Sequence, residues 1–312
     1  MKKKHLALLL VLSIPVLALL LIYVFIPRQL TITQVVQGKI PAVRAQDFFT
    51  QKTLARKWMP GNETDSCFCS NNTCFCFIDN GTNTVAVRTL LNKEQLFGYV
   101  YINRLSFDSA AISWTMKLPA AGSGPLARVR NYFAARKLKN SFRHYMEQLL
   151  RFSGNDSLLY GMRPVIERVA DTLSLSQKKQ FNHYPTVTEI NDMLNELNVY
   201  ITAAGANVVR PAMLHVLQTD KEQYEAMVAL PINKPVSDKG NFILKRMPPG
   251  RIIAVTVQGG MYTINRQLAE LEHYKTDNQL TAPAIPFQSM ITNRAAEPDT
   301  LKWVTRLYYP VF

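Results

Sequence analysis

Most of the signatures by which a sequence declares its chemistry are missing from this one. The 312-residue chain has no phosphate-cradling loop, and Gly259-Gly260 stands alone as a turn signal. Its histidines, His5, His144, His183, His215 and His273, are scattered without the spacing of metal ligands. No serine sits in a nucleophile-elbow context. These gaps leave no catalytic residue, metal or cofactor to assign. Acidic residues are few as well: 22 Asp and Glu stand against 36 Lys and Arg, a net charge of +14. The basic charge is spread along the chain, without a helix-turn-helix, zinc-finger or RNA-binding aromatic signature, so nucleic acid is not expected as a partner. A solvated basic surface, or attraction to anionic lipid headgroups, accounts for the excess. A composition of 47% hydrophobic and 19% charged residues is that of a globular protein, and the length suits two domains.

What is present begins with an apolar run, Leu6 to Ile26, long enough to cross a bilayer core of about 30 Å as a helix. Ser13 and Pro15 interrupt it mildly, and Tyr23 sits where an aromatic suits the interface. The run ends Phe25-Ile26-Pro27-Arg28-Gln29 without a small-x-small cleavage site, so an uncleaved anchor over residues 1–28 is expected rather than a signal peptide. Lys2, Lys3 and Lys4 precede the run and only Arg28 follows closely. The positive-inside rule then places the N-terminus in the cytoplasm and residues 30–312 outside, with membrane lipid as a partner.

All four cysteines fall in Cys67-Phe68-Cys69-Ser70-Asn71-Asn72-Thr73-Cys74-Phe75-Cys76. Ser-Asn-Asn-Thr is a turn signal between two short strands. A four-residue loop sets Cys69 opposite Cys74 and Cys67 opposite Cys76, all on one face, with Phe68 and Phe75 on the other. Three readings remain open: two cross-strand disulfides in an oxidising compartment, a four-thiolate metal site of unusually tight spacing, or four reduced thiols.

Between residues 30 and 152 the pattern predicts a strand at Thr31–Val36 and a helical stretch from Pro41 to about Arg56. Strands at about 66–78, 83–91, 96–104 and 107–117 follow. The last alternates, with Ile112, Trp114 and Met116 on one side and Ser113, Thr115 and Lys117 on the other. After the glycines at 122–124, apolar residues from Leu126 to Phe152 recur at helical spacing. This order, with Trp58-Met59-Pro60 closing the first helix, resembles the SRPBCC (START-like) superfamily. The resemblance implies a helix-grip domain: a curved antiparallel sheet around a long helix, with an apolar cavity between them.

Residues 158–312 contain an internal duplication. In the first copy a strand near Val165–Leu175 leads to Tyr184-Pro185, and Thr186-x-x-Glu189 forms a capping box. A helix with Ile190, Met193, Leu194, Leu197 and Ile201 on one face is then followed by two strands, the second ending Leu230-Pro231-Ile232. The second copy runs from strand Arg251–Gln258 through a helix bearing Ile264, Leu268, Leu271 and Tyr274. A strand at Met290–Thr292 and the closing strand Trp303–Val311 complete it. Two such units would pack with pseudo-twofold symmetry and leave a groove between their sheets.

The stretches Val255-Thr256-Val257-Gln258-Gly259-Gly260-Met261-Tyr262, Pro283-Ala284 and Lys302 to Val311 resemble the GyrI-like small-molecule-binding domain, which also serves as the effector-binding domain of AraC-type and MerR-type regulators. Members that bind lipophilic cations or hydrolyse small strained substrates carry an acid after an aromatic before the last turn. Here Pro286-Phe287-Gln288-Ser289-Met290 offers only Gln288 or Ser289, and a neutral amide neither neutralises a buried cation nor serves well as a base.

The expected fold is therefore α+β: an N-terminal transmembrane helix, a helix-grip domain over residues 30–152 and a duplicated β-α-β-β domain over residues 158–312. The expected function is a membrane-anchored module that binds a hydrophobic or amphipathic small molecule. It lacks the DNA-binding helix pair of the regulators, and presentation of ligand to another membrane protein is a further option. Candidate ligand-binding residues are Trp303, Tyr308, Tyr262, Phe287, Gln288 and Trp114. Small-molecule hydrolysis and a structural envelope role are the alternatives.

Overall fold

A computed structural model describes the chain apart from residues 1–16, 18, 42–43, 60–61, 65–66, 71–72, 80, 92–93, 119–123, 170–171 and 248. The expected anchor lies largely outside the described residues. Of its run, Leu17 and residues 19–25 are helical. Among the described residues no helix is long and apolar enough to cross a membrane. The chain divides into two units, residues 1–159 and 160–312.

The first unit is a seven-stranded antiparallel sheet in the order β1-β7-β6-β5-β4-β3-β2. Its strands are β1 (Thr31–Lys39), β2 (Asn62–Thr64), β3 (Cys67–Ser70), β4 (Thr73–Asp79), β5 (Thr84–Leu91), β6 (Glu94–Arg104) and β7 (Ser109–Lys117). The meander from β2 to β7 is closed by β1, which pairs with β7 along its whole length. Strand β7 shows why the sheet has an inside: Ile112, Trp114 and Met116 are buried while Lys117 is exposed. The long helix α3 (Pro125–Ser153) covers that inner face with Leu138, Phe142, Tyr145, Met146 and Leu149. Its approach is close at Gly38, where a Cβ would lie 2.7 Å from Leu150 Cδ2. Near the start of α3, Arg128 donates to the Tyr23 and Ile26 carbonyls at 3.2 and 3.1 Å, which satisfies open carbonyls at the end of the short 19–25 helix.

The helical stretch expected from Pro41 is instead two short helices, α1 (Asp47–Thr50) and α2 (Lys52–Trp58), with Gln51 extended between them. The break folds α2 back so that Trp58 Nε1 donates to the Phe48 carbonyl at 2.8 Å. Phe48, Phe49, Leu54 and Trp58 are all buried in this arrangement. At the opposite edge, the β3–β4 ladder pairs Cys67 with Cys76, Phe68 with Phe75 and Cys69 with Cys74. Both cysteine pairs are disulfide-bonded, and Phe68 and Phe75 point inward and are buried. The loop residues Asn71 and Asn72 lie outside the described residues.

The second unit is an eight-stranded antiparallel sheet in the order β12-β9-β11-β10-β14-β15-β13-β8. Its first copy comprises β9 (Thr172–Phe181), α5 (Val187–Ala203), β10 (Met213–Asp220) and β11 (Gln223–Ile232). Its second comprises β13 (Gly250–Gln258), α6 (Met261–Asp277), β14 (Phe287–Met290) and β15 (Val304–Val311). The central order β9-β11-β10 | β14-β15-β13 is the pseudo-twofold expected of a duplication. The two copies do not face each other as separate sheets, however. They join edge to edge through Met213↔Ser289 and Leu214↔Gln288, because the two second strands present free backbone edges that satisfy one another.

The strand expected across Val165–Leu175 is present as β8 (Val165–Val169) and β9, and residues 170–171 between them lie outside the described residues. β8 pairs with β13 and β9 with β12 (Ile243–Met247) in one running register, Val169↔Gly250 and Thr172↔Met247. At the junction between units the chain forms a short helix, α4 (Asp156–Tyr160). The start of α5 is fixed by a capping box: Thr186 Oγ1 accepts from the Glu189 amide at 3.2 Å, and the Glu189 carboxylate accepts from the Thr186 amide at 2.8 Å. The start of α6 depends instead on Gly259, whose φ of +133° lets β13 turn directly into the helix.

Candidate functional site

The pseudo-twofold puts β10 and β14 side by side and α5 and α6 on the same face of the sheet. Beside α6, along β10 and β14, a groove of about 530 Å³ opens. Leu214 and Val216 of β10 form its floor, with Gln288 of β14 and Tyr309 of β15 beside them. Tyr224 and Leu268 wall it on either side. A narrower hollow of about 50 Å³ adjoins it, sharing Tyr184, Leu214 and Val216 and reaching the first turns of both helices at Thr186 and Met261. The hydrophobic core under α5, built on Ile190, Met193, Leu197 and Val228, carries Leu214 and Val216 and so fixes the floor.

Arg294, in the turn between β14 and β15, lines the narrow hollow and is buried at 9% exposure. Its Nη2 donates to Gln288 Oε1 at 3.0 Å and to Thr305 Oγ1 at 2.9 Å, and its Nη1 approaches Met261 Sδ at 3.5 Å. Its guanidinium lies 5.0 Å from the centre of the Trp303 ring. All of these partners are neutral. Among the described residues no carboxylate is within ion-pair distance of it. Burial lowers its pKa to about 10, with Tyr184 opposing. Tyr184 Oη is buried beside it without a partner in hydrogen-bond geometry, although the Asn265 and Gln288 side chains are near. Burial raises the Tyr184 pKa, so this phenol stays protonated and able to donate.

The other titratable groups of the groove are already engaged. His215 lies 2.7 Å from the Pro286 carbonyl through Nδ1, and since a carbonyl only accepts, Nδ1 carries the proton. Burial lowers its pKa, which keeps the ring neutral at pH 7. Burial acts to raise the Glu272 carboxyl, but hydrogen bonding to Lys275 and Tyr309 outweighs it and holds the group below the usual carboxylate range. Lys275 Nζ bridges Glu272 Oε1 and Tyr309 Oη, at 2.5 and 3.2 Å.

Of the six ligand-binding candidates read from the sequence, Gln288 and Phe287 line the groove. Tyr308 stacks on Phe287 with ring centres 5.2 Å apart and lines a separate hollow of about 250 Å³ on the other face of the sheet. Trp303 is buried, with Nε1 donating to the Glu297 carbonyl at 2.9 Å, and touches the site only through Arg294. Tyr262 projects outward from α6, 81% exposed. Trp114 belongs to the first unit, where it stacks on Phe142 at 4.3 Å and meets Phe75 at 5.0 Å. With Tyr145, these rings pack the space between sheet and α3 in which the START-like resemblance implies a cavity. Arg294, Tyr184 and Asn265 were not singled out from the sequence. Tyr184 was within reach, since it directly precedes the capping box of a duplicated helix.

No family model matches the chain, and no curated protein matches it. Its fold is similar to several solved structures at low identity. The C-terminal domain of EcmrR is 15% identical, over 48% of this chain and 98% of that one, with a TM-score of 0.42. A hydrolase from Listeria innocua is 14% identical over 48% and 92%, with a TM-score of 0.38. A START superfamily protein from Mycobacterium smegmatis is 9% identical over 38% and 94%, with a TM-score of 0.29.

Proposed function

We propose that the second unit is a small-molecule-binding module and that the apolar run at residues 6–26 tethers it to a membrane. The observation that carries the binding reading is the groove at the seam of the two copies. Its volume of about 530 Å³ lies within the range of small-molecule sites, roughly 300–1,000 Å³. Apolar and aromatic walls supply burial, and a few convergent polar groups, Gln288, Asn265 and Tyr184, supply orientation. The chemistry of the lining favours binding over hydrolysis. Among the described residues that line it there is no serine, threonine or cysteine to act as nucleophile, and the one carboxylate, Glu272, is tied to Lys275. The tether reading rests on the length of the apolar run and on its flanking lysines. The two disulfides of the first unit suit an oxidising compartment, which agrees with placing the bulk of the chain outside the cytoplasm.

The test is a thermal-stability screen of the full chain in zwitterionic nanodiscs against amphiphiles of each charge type. A ligand present at about 100 times its Kd adds about 2.7 kcal/mol to the unit that binds it. Ala269→Trp, at an exposed position on the groove wall, fills the groove without touching the core and abolishes the shift. A shift that survives this substitution places the ligand elsewhere, and no shift across the screen removes the binding reading.

A further inference from the structure

Resting on the groove as the binding site, we infer that its ligand carries an anionic head group, a carboxylate, held by Arg294 and Tyr184. Arg294 is a buried cation whose described contacts are a glutamine oxygen, a threonine hydroxyl, a methionine sulfur and an indole ring. A charge withdrawn from water without a counter-charge is costly, and such groups are ordinarily paired. Among the described residues no carboxylate pairs with Arg294, yet it lines a hollow that adjoins the groove. That hollow, about 50 Å³, has room for a group the size of a carboxylate.

Three neighbouring features have the same sign. Tyr184 Oη, protonated and unpartnered, sits between hollow and groove as a second donor. The first turn of α6 reaches the hollow at Met261, and α6 has neither a side-chain cap nor an acidic residue in that turn, so its positive end is left open. Residue 288, the closest polar neighbour on the sheet, is an amide: a carboxylate there would neutralise Arg294, whereas Gln288 Oε1 orients the guanidinium and leaves its charge available. The positive end of α5 does not add to this, because Glu189 already occupies it. A planar carboxylate matches the guanidinium fork, and the apolar remainder of the ligand would lie in the larger groove against Leu214, Val216 and Leu268.

The test compares matched head groups on the same tail. The full chain in phosphatidylcholine nanodiscs is titrated calorimetrically with 4-phenylbutyrate, 4-phenylbutanol and 4-phenylbutyltrimethylammonium, and with decanoate, decanol and decyltrimethylammonium. The acids bind about 10- to 100-fold more tightly than the alcohols, the range expected for a hydrogen bond to a charged group, and the ammonium compounds bind least. Arg294→Gln makes acid and alcohol equal. Gln288→Glu, which supplies an internal counter-charge, does the same by an independent route if the first variant fails to fold. Acids that bind no better than alcohols overturn the charge assignment and leave the groove standing. So does a preference for acids that persists in both variants. If no member of either set binds, the groove and the head-group assignment fall together.

Discussion

Arg294→Met separates a ligand-facing guanidinium from a structural one, because only the structural role predicts a clear loss of stability. Burial lowers this group's pKa from the ordinary arginine range to about 10, equivalent to roughly 3 kcal/mol against the charged form in the folded chain. Methionine fills a similar volume with a flexible apolar side chain and removes that penalty. Against the gain stand two acceptors, Gln288 Oε1 and Thr305 Oγ1, which lose a charged donor at about 1.5 kcal/mol each. The unliganded second unit should therefore keep its stability to within about 1 kcal/mol. The slowest-exchanging amides of β13 and β15 report this by hydrogen-exchange mass spectrometry as exchange within about fivefold of the parent's. The pH dependence carries a sign as well. A cation whose pKa is depressed by folding penalises the folded state below that pKa, and the penalty lifts as the pH rises above about 10. The parent should gain stability relative to the variant as the pH rises beyond that value. Exchange tenfold faster in Arg294→Met would show that the neutral contacts of Arg294 hold the fold together, and would refute the reasoning.

Other perturbations have equally definite outcomes. His215 is held neutral by burial, so its contribution to the second unit is complete above its ordinary pKa of 6.5 and is lost as the pH falls below it. Urea midpoints measured between pH 7.5 and 5 should fall for the parent and fall less for His215→Asn, and identical slopes would exclude His215 as the cause. Reducing the Cys67–Cys76 and Cys69–Cys74 bonds releases short loops and should cost the first unit roughly 2–3 kcal/mol per bond, less for the second of a nested pair. A first-unit thermal transition unmoved by reductant would contradict this. Trp114→Ala should cost about 3–5 kcal/mol in the first unit and leave ligand affinity unchanged, since Trp114 packs a core. A loss of affinity on calorimetry would return it to the list of ligand contacts.

The contrast between Trp114 and Arg294 shows what kind of information the sequence carries. Alternation along β7 reveals that Trp114 faces inward, because strand period alone decides the face. Whether the inside is a cavity or a packed core depends on what comes across from α3. The answer, Phe142 stacked at 4.3 Å, is a long-range fact with no local signature. Short-range chemistry was legible for the same reason that β7 was. Thr186 and Glu189 stand three residues apart and cap α5 as their spacing requires. The register of the cysteine hairpin follows from its loop length. The break at Gln51 was not legible: there a continuous local pattern is cut so that its parts bury in different places, with Trp58 folded back on Phe48.

The groove itself occupies a middle ground. The duplication implies a twofold seam, and the seam implies a groove, but the edge-to-edge joining of β10 with β14 decides which side chains line it. Arg294 lies furthest from sequence reading. It sits among turn residues, where arginines are usually solvated, and only the closure of β14 onto β15 carries it under Trp303 and beside Gln288. Its burial is also the reason it is informative. A folded chain tolerates an unpaired interior charge where something else completes it, and the missing partner of Arg294 has the chemistry of an anion.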